Sequence, residues 1–351
     1  MTAVMARGLF LTGRRILEMR EFESPVPSPG QVSIRVAGCG LCHTDIAFYD
    51  GSVKPRHELP LILGHEITGT VESAPAPFAH LTGRDVLVPA VIPCDECALC
   101  RGGRDTACSA QIMPGNDVHG GFASHVVVPG RHVIPLGADR GDYSLAELAV
   151  IADAVTTPYQ ALARAQVGPG DVVVVIGTGG IGSYAVQIGR ALGAAVAAVD
   201  IDPRKLERVS RYGARWTFDA RTTDSKTVRQ RLLDEGFLNT AAWRIFEMSG
   251  TAAGQEFAWK LLPPAGTLGV IGFTMDRPSI RLSNLMALDA TAFGSWGCSP
   301  RLYPAALDLV TSGRVTIGPF VDVHPLDRAP DLFERIHRSD GGVDRRAVLV
   351  P

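Results

Sequence analysis

The segment GDVVVVIGTGGIGSYAVQIGRALGAAVAAVD, residues 170–200, constrains the fold more narrowly than any other part of the chain. Its apolar run at 172–176 is typical of a parallel strand that is buried on both faces. A glycine turn of the pattern G-x-G-x-x-G follows, formed by Gly177, Gly179 and Gly182. Such glycines permit a tight turn and let the backbone approach a pyrophosphate at the start of the next helix. A helix to about Leu192, capped by Gly193, and a second strand complete a predicted dinucleotide-binding βαβ unit.

The end of the second strand predicts which dinucleotide binds. Asp200 closes that strand, and a carboxylate there accepts hydrogen bonds from a ribose hydroxyl and repels a 2′-phosphate. NAD is therefore favoured over NADP, although Arg204 and Lys205 weaken the preference slightly. The residues expected to contact the coenzyme are Gly177, Gly179, Gly180, Ile181, Gly182, Asp200 and Lys205.

The rest of the chain shows two different patterns. The stretches WRIFEMSG, EFAWKLL and GTLGVIGF continue the alternation of strand and helix, which predicts a doubly wound parallel sheet over residues 154–297. On either side, short strands such as EITGTVES and ASHVVVPG alternate with glycine and proline turns, as in an all-β domain. A length of 351 residues also favours two domains. We predict an α/β domain inserted into an all-β domain that comprises residues 1–153 and is completed by residues 298–351.

Composition limits the classes of function. Hydrophobic residues at 46% and charged residues at 20% are typical of a soluble globular protein. A formal net charge of −2 gives no overall field that would attract nucleic acid. No stretch of about 18 uncharged apolar residues could span a membrane, and the N-terminus is a poor signal peptide. We expect a cytoplasmic protein that binds neither nucleic acid nor membrane.

Four of the seven cysteines lie close together in the segment CDECALCRGGRDTAC, at Cys94, Cys97, Cys100 and Cys108. The spacing is too tight for two unstrained disulfides, and a reducing cytoplasm favours a tetrahedral thiolate cage. Four thiolates leave zinc no open coordination position. The lobe at about residues 90–110 therefore predicts a structural zinc ion, and the chemistry must lie elsewhere.

Other potential metal ligands are scattered over the segments GCGLCHTDIAF, LPLILGHEITG and VIADAVTTPYQAL. They contribute a thiol, imidazoles and carboxyl groups, at Cys42, His43, Asp45, His65, Glu66 and Asp153. One thiolate, one imidazole and one carboxylate would leave zinc an open fourth position. The residues alone do not select which three form such a set.

These segments, the cysteine lobe and the glycine turn resemble the zinc-dependent alcohol dehydrogenases of the medium-chain dehydrogenase/reductase superfamily, over essentially the whole chain. The resemblance implies a GroES-like β-domain with an inserted Rossmann domain, NAD, and two zinc ions per chain. It implies that Cys42, His65 and Asp153 hold the catalytic zinc, with Glu66 beside the metal, where it can exchange with the bound water. The structural zinc would be held by Cys94, Cys97, Cys100 and Cys108.

The resemblance also implies a mechanism. Zinc lowers the pKa of an alcohol hydroxyl, and hydride passes to the nicotinamide. Thr44 matches the hydroxyl that receives the substrate proton. Many relatives carry a histidine three residues later to pass the proton to solvent, whereas this chain has Ala47. His43 or ordered water could take over that step.

Further stretches, among them QIMPGNDVHGGFASHVVVP and GFTMDRPSIRLSNLMAL, are similar to the branch of this family that oxidises 6-hydroxycyclohex-1-ene-1-carbonyl-CoA. The similarity implies a cyclic secondary alcohol that carries a CoA thioester. Ala90 would leave room for a ring. Candidate pocket walls, each of which could equally belong to the core, are Phe48, Ile92 and Trp296. Candidate contacts for CoA phosphates, each of which could equally be solvated surface, are Lys54, Arg56 and Arg301.

The sequence is also compatible with other functions. A dehydrogenase of a free cyclic alcohol would keep almost every motif, and a zinc-dependent hydratase or lyase that adds water to a cyclic enone could use the same scaffold. A nucleotide sensor is disfavoured, because it would not need the complete set of zinc ligands. Family habit implies a homo-oligomer, either a dimer or a tetramer. Cys39 and Cys298 are expected to be small buried apolar residues, and His119 is left unassigned.

Overall fold

The computed structural model describes residues 5–338 and 345–351. Within these ranges the strands are β1 (Met5–Gly13), β2 (Ile16–Glu23), β3 (Gln31–Gly40), β4 (Leu61–Ile62), β5 (Glu66–Ser73), β6 (Asp85–Val88), β7 (His125–Pro129), β8 (Ile134–Pro135), β9 (Val172–Ile176), β10 (Ala195–Asp200), β11 (Trp216–Asp219), β12 (Trp243–Glu247), β13 (Thr267–Val270), β14 (Thr291–Gly294), β15 (Val321–Pro325) and β16 (Arg346–Val350). The α-helices are α1 (His43–Tyr49), α2 (Ala98–Arg101), α3 (Thr156–Arg164), α4 (Gly182–Ala191), α5 (Pro203–Arg211), α6 (Ser225–Asp234), α7 (Ala252–Leu261), α8 (Asn284–Leu288), α9 (Tyr303–Thr311) and α10 (Ala329–His337).

The first of two compact units comprises Met1–Thr156, Gly297–Thr311 and Ile317–Pro351. Its larger sheet has the strand order β15-β16-β3-β5-β6-β8, with β7 paired to β3. A smaller sheet has the order β2-β1-β4. Most neighbouring strands are antiparallel, and apolar side chains from both sheets form one core.

The register between β3 and β5 places the functional segments of this unit. The strands run antiparallel, with Gly40 opposite Glu66 and Cys39 opposite Ile67. The chain therefore leaves β3 at the same end of the strand pair at which it enters β5. Strand pairing alone brings Cys42, two residues beyond β3, close to His65, one residue before β5.

The second unit comprises Thr157–Trp296 and Ser312–Thr316. Its six strands are all parallel, in the order β11-β10-β9-β12-β13-β14. The order reverses between β9 and β12, so the crevice of this sheet lies at the carboxyl ends of these two strands. Every residue of β9 is buried, as the continuous valine run predicts.

The second unit differs in extent from the predicted range 154–297, because it begins at Thr157, ends at Trp296 and also includes Ser312–Thr316. Residues 298–351 were expected to belong entirely to the first unit, but Ser312–Thr316 lies in the second. The reason is a pair of hydrogen bonds from α4, because the Gln187 amide donates to the Thr316 carbonyl at 3.1 Å and accepts from the Thr316 backbone N–H at 2.8 Å.

In the described ranges, none of the helices combines the length and the hydropathy that a bilayer crossing requires.

Candidate metal centres and coenzyme loop

Three of the expected zinc ligands converge in the first unit, although they come from distant parts of the chain. Cys42 is the N-cap of α1, His65 precedes β5, and Asp153 follows a 3-10 turn at Glu147–Ala152. The Cys42 Sγ lies 3.6 Å from Asp153 Oδ2, and the His65 Nε2 lies 3.7 Å from the same oxygen. Together with Glu66, their ligand atoms all lie within 4.8 Å of one another.

These distances fit a zinc site. Bonds of about 2.0–2.3 Å to a tetrahedral zinc place neighbouring ligand atoms about 3.6 Å apart. Cys42, His65 and Asp153 supply one thiolate, one imidazole and one carboxylate at that spacing. Three protein ligands leave one position of a tetrahedral ion for a substrate oxygen.

Asp45 supports this set as a hydrogen-bonding acid. Its side chain is fully buried and accepts the backbone N–H groups of Cys42 at 2.9 Å and Gly64 at 3.0 Å. The same carboxylate lies 3.6 Å from the His65 Nδ1. Burial lowers the pKa of His65, but the Asp45 and Asp153 carboxylates outweigh burial and raise that pKa well above its usual value. Nδ1 has no hydrogen-bond partner among the described residues, so Asp45 acts on the imidazole through its charge, and Nε2 faces the other candidate ligands.

Glu66 lies beside the ligands as expected, but it has a partner that the sequence did not suggest. The buried Arg346 guanidinium forms a two-pronged ion pair with it, with Nε 3.1 Å from Glu66 Oε2 and Nη2 bonded to Oε1. Arg346 Nη2 also lies 3.7 Å from Asp153 Oδ2. Burial raises the pKa of Glu66 above its usual value, although the guanidinium opposes this. The one signal in the sequence was an arginine at the start of the apolar strand RAVLV.

The group as a whole is rich in anions. One thiol and two carboxylates, those of the buried Glu66 and the half-buried Asp153, face a single guanidinium and one imidazole. Buried charges of one sign are costly unless they are compensated, and a divalent cation would compensate them here. This donor set suits zinc, because thiolate and imidazole together favour a borderline-soft ion.

The expected proton relay begins beside this group. Thr44 is half-buried, and its Oγ1 lies 3.8 Å from Cys42 Sγ. His43, the neighbouring residue at the start of α1, is exposed. Ala47 lies on the next turn of α1 and carries no group that could accept a proton.

The cysteines of the lobe form a compact cage. The Sγ–Sγ separations are 3.4 Å for Cys94–Cys108, 3.5 Å for Cys97–Cys100, 3.8 Å for Cys97–Cys108 and 3.9 Å for Cys94–Cys100. Zinc–sulfur bonds of about 2.3 Å in a tetrahedron give about 3.8 Å between sulfurs. None of the four forms a disulfide. A hydrogen bond from the Cys100 backbone lowers the pKa of Cys97 to about 6, whereas burial raises the pKa of Cys100 to about 12.

The glycine turn of the second unit has a different steric requirement at each of its three glycines. Gly177 has φ +86°, and a Cβ there would lie 2.5 Å from the Ser249 backbone. A Cβ on Gly182 would lie 1.8 Å from the Gly177 carbonyl oxygen, so α4 can begin close to β9 only without a side chain. A Cβ on Gly179 would meet no protein atom within 4 Å. Open space of this kind allows a pyrophosphate to approach the backbone at the start of a helix, and Gly180 and Ile181 lead into α4 here.

Asp200 is bonded to this turn. Its Oδ2 accepts the Thr178 backbone N–H at 2.6 Å and the Thr178 hydroxyl at 2.9 Å, and its Oδ1 accepts the Asp202 backbone N–H. Arg204, which could have favoured a 2′-phosphate, is paired with Asp202 at 3.0 Å. Hydrogen bonds from Arg204 lower the pKa of Asp202 to about 2, so the pair stays ionised. Lys205, the other cation near this strand end, is half-buried in α5.

The expected substrate contacts have varied environments. Phe48 and Ile92 are buried in the hydrophobic core of the first unit, whereas Trp296 is 51% exposed in the second. Ala90 is buried. Of the basic candidates, Arg56 is paired with Asp117 at 3.2 Å, Arg301 lies 3.6 Å from Asp105, and Lys54 is exposed.

His119, Cys39 and Cys298, to which the sequence assigned no function, are parts of the fold. The His119 Nδ1 accepts the Ile62 backbone N–H at 3.3 Å, and its ring packs edge-on against Phe10. Cys39 and Cys298 are buried, as expected. These contacts stabilise the fold of the first unit.

Comparison with known proteins identifies both parts of the chain. Residues 28–138 match the alcohol dehydrogenase GroES-like domain, and residues 180–312 match the zinc-binding dehydrogenase family. An alcohol dehydrogenase of Geobacillus stearothermophilus is 31% identical over 340 residues, which is 96% of either chain. One of Rhizobium meliloti is 32% identical over 337 residues, which is 95% of either chain.

A solved structure extends the likeness to three dimensions. The cobalt- and zinc-bound thermostable alcohol dehydrogenase from Pyrobaculum aerophilum is 25% identical, covers 99% of this chain and 100% of its own, and gives a TM-score of 0.84. The predicted combination of a GroES-like β-domain and a Rossmann domain is confirmed. The chain belongs to the zinc-binding alcohol dehydrogenases, a family of NAD(P)-dependent oxidoreductases.

Proposed function

We propose that this enzyme oxidises a cyclic secondary alcohol to a ketone by hydride transfer to NAD, at a zinc ion held by Cys42, His65 and Asp153. The observation that carries this proposal is the convergence of the three ligands at 3.6 and 3.7 Å. A second zinc ion, held by the four cysteines of the lobe, completes two zinc ions per chain. Its closed ligand set gives it a structural role.

The residues around the catalytic ligands each have a defined task. When bound, zinc supplies the Lewis acidity that lowers the pKa of a substrate hydroxyl, and NAD takes up the hydride. Asp45 acts on His65 through its charge, because its carboxylate lies 3.6 Å from Nδ1. Arg346 neutralises Glu66 and lies 3.7 Å from Asp153, so it holds these two carboxylates in place.

The substrate proton leaves through Thr44. Its hydroxyl is half-buried beside Cys42, within 3.8 Å of the ligand sulfur, and can accept a proton while donating its own. With Ala47 in the position where many relatives have histidine, the next group on α1 that could carry the proton is His43. Its exposure allows direct exchange with solvent.

NAD is the proposed coenzyme. Asp200 presents a carboxylate at the end of β10, which can bond the ribose hydroxyls and would repel a 2′-phosphate. Arg204, the nearby cation that could have balanced a phosphate, is engaged by Asp202. This environment therefore favours NAD, which lacks the 2′-phosphate, over NADP.

The substrate is proposed to be 6-hydroxycyclohex-1-ene-1-carbonyl-CoA or a similar cyclic acyl-CoA. This part of the proposal rests on the sequence similarity of segments such as QIMPGNDVHGGFASHVVVP. The small Ala90 beside the lobe is compatible with a ring. Among the three basic candidates, Lys54 is the best contact for a CoA phosphate, because Arg56 and Arg301 already have acidic partners.

The active form is proposed to be a homo-oligomer. β14 is an end strand of the parallel sheet, and such a strand presents unpaired backbone groups to a partner. Large apolar side chains are exposed in the segment that precedes it in the second unit, namely Phe273, Met275, Leu282 and Met286. An exposed apolar surface next to a sheet edge suits a second copy of the same chain.

A steady-state screen tests the proposed reaction. Cyclic hydroxy-acyl-CoA thioesters, their free acids, simple cyclic alcohols and polyols are each offered with NAD and with NADP, and the reduced nicotinamide is followed by absorbance. We expect the highest kcat/KM for a cyclic thioester with NAD. Equal rates with and without CoA would contradict the thioester assignment. Substrate loss without reduced coenzyme would instead indicate a hydratase or lyase.

A further inference from the structure

A buried tyrosine supports the chain where the ligand Asp153 emerges. Tyr303, the first residue of α9, has no exposed surface. Its hydroxyl accepts the Ala90 backbone N–H at 3.0 Å and donates to the Ala152 carbonyl oxygen. Ala152 immediately precedes Asp153, so one side chain ties the ligand-bearing turn to the segment that leads into the cysteine lobe.

The Ala152 carbonyl receives a second hydroxyl. The Thr156 Oγ1 donates to it at 3.0 Å. The 3-10 turn Glu147–Ala152 is itself buried from Leu148 onward, and the chain leaves it at Asp153 with φ −139° and ψ −54°. The Ala152 carbonyl at the end of this turn therefore accepts both the Tyr303 and the Thr156 hydroxyls, which fix the peptide group that precedes Asp153.

The same part of the chain also contacts the cysteine lobe. The Ser299 hydroxyl donates to Asp105 Oδ2 at 2.6 Å, and Arg301 Nε lies 3.6 Å from that oxygen. Asp105 is 4% exposed and lies in the lobe between Cys100 and Cys108. Residues 299–303, here called the brace, therefore bond the lobe at one end and the Asp153 turn at the other.

We propose that the brace couples the two metal sites, and that Tyr303 is a positioning residue for the Asp153 ligand. A carboxylate ligand binds zinc well only when its carrier peptide is fixed, because small displacements weaken the site. The folded lobe holds that peptide in place through the bonds of Ser299 and Tyr303, the latter also to the Ala90 backbone. This inference rests on the proposed zinc site of Cys42, His65 and Asp153.

The test measures zinc release from the metal-loaded enzyme into a chromogenic chelator. Tyr303→Phe keeps the ring and removes the hydroxyl. We expect about tenfold faster release of one of the two zinc ions, the low end of the effect of such supporting groups. Tyr143→Phe is the matched control, because its hydroxyl also accepts a backbone N–H in the first unit, that of Ile317 at 3.2 Å, but lies on no route to a metal ligand.

Spectroscopy identifies which site is affected. With cobalt in place of the catalytic zinc, Tyr303→Phe should shift the visible absorption bands, which depend on ligand geometry, while Tyr143→Phe should not. If Tyr303→Phe fails to fold, Thr156→Val removes the other donor to the Ala152 carbonyl and should give the same shift and faster release. Release rates and spectra equal to wild type in the folded variant would overturn the positioning role.

A separate variant tests the proposed coupling between the two metal sites. Ser299→Ala removes the bond to Asp105, and it should accelerate release of both zinc ions if the brace links the sites. Faster release of the lobe zinc alone would contradict coupling. Wild-type enzyme that binds no metal at Cys42, His65 and Asp153 would refute the proposed catalytic centre itself. Two tightly bound ions with an unaffected Tyr303→Phe variant would refute only the brace.

Discussion

At the residue scale, Asp200 combines two roles that a variant can separate. Its carboxylate fixes Thr178 of the glycine turn and is proposed to bond the coenzyme ribose. Loss of a charged hydrogen-bond acceptor costs about 1.5–3 kcal/mol, or roughly 10- to 100-fold in affinity. We expect Asp200→Ala to raise the KM for NAD by about this factor and to raise the kcat/KM for NADP relative to NAD, as measured by steady-state kinetics.

A neighbouring acid provides the control for Asp200. Asp219 is its register partner at the end of β11, where the Asp219 carboxylate is paired with Arg221. Asp219→Asn should leave both coenzyme KM values unchanged. An Asp200→Ala variant with wild-type KM for NAD and for NADP would show that the carboxylate only stabilises the turn.

Thr44 is the residue on which the proposed proton relay depends. Thr44→Val removes the hydroxyl but keeps the shape of the side chain, so it should lower kcat by about 100-fold and alter the pH dependence of kcat. Thr44→Ser restores a hydroxyl at the same position and should recover most of the rate. Unchanged turnover and an unchanged pH profile in Thr44→Val would mean that the proton takes another route.

The candidate zinc ligands were named from the sequence, whereas the groups around them were not. Cys42, His65 and Asp153 were found through resemblance to a family. The only local signal for Arg346 is its position at the start of an apolar strand, and its partner Glu66 is 280 residues away along the chain. Asp45 was one of several potential metal ligands in the sequence, and its contact with His65 depends on how β3 and β5 pair. Such tertiary pairings lie beyond what residue spacing can specify.

At the scale of elements, the cysteine lobe should stabilise the fold and support the catalytic site through the brace, but take no direct part in hydride transfer. Cys100 is buried in the cage, 3.5 Å from Cys97 Sγ. Cys100→Ala should lower the zinc content to one ion per chain and lower the Tm by roughly 5 °C or more, because loss of a structural metal unfolds its loop. Atomic absorption and calorimetry measure the two effects.

The control for the lobe is Cys298, a buried cysteine that lies outside the lobe. Cys298→Ala removes a thiol that belongs to no ligand set, so both zinc ions should remain. If Cys100→Ala kept its Tm but lost hydride transfer alone, the division into structural and catalytic sites would be reversed.

The carboxyl end of β12 contains an acid that should make stability depend on pH. Glu247 is fully buried, with Oε1 bonded to the Ser249 backbone N–H at 2.7 Å and no hydrogen-bond partner for Oε2 in the described structure. Burial raises the pKa of Glu247 above its usual value, although bonds from Ser249 oppose this. The folded state therefore binds this proton more tightly than the unfolded state. The contribution of this proton to the free energy of unfolding is fully present below the unfolded pKa of about 4.3. It is lost as pH rises through the pKa of Glu247 in the folded protein.

A neutral replacement tests the sign of this effect. Glu247→Gln cannot ionise, so on the alkaline side of about pH 4.3 its Tm should fall less with pH than that of the wild type. Glu256 is the control, because a hydrogen bond from the Ser279 backbone lowers its pKa and its contribution is already complete there. Glu256→Gln should therefore keep the wild-type pH slope. If the Tm of Glu247→Gln fell with pH as steeply as that of the wild type, ionisation of Glu247 would not destabilise the fold.

The elements themselves show why the fold was easier to predict than its boundaries. The valine run of β9 and the three glycines after it specify the βαβ unit locally, and the alternation of strands and helices predicts a parallel sheet. The segment Ser312–Thr316 lies in the second unit, and its attachment depends on the side chain of Gln187 more than a hundred residues away. Local patterns define elements, and side-chain pairing decides which unit a short connection joins.

At the scale of the whole molecule, self-association is the property that the exposed edge at β14 predicts. Leu282 and Met286 are 69% and 79% exposed, which is unusual for two large apolar side chains near the end strand of a sheet. We expect light scattering coupled to size exclusion to give a mass of two or four chains. The double variant Leu282→Lys, Met286→Lys should shift that mass toward one chain, because two charges cannot be desolvated cheaply in an interface. Leu238→Lys, which changes an equally exposed apolar residue beyond α6, should keep the wild-type mass. A wild-type mass of one chain, or a double variant with the wild-type mass, would contradict association through this surface.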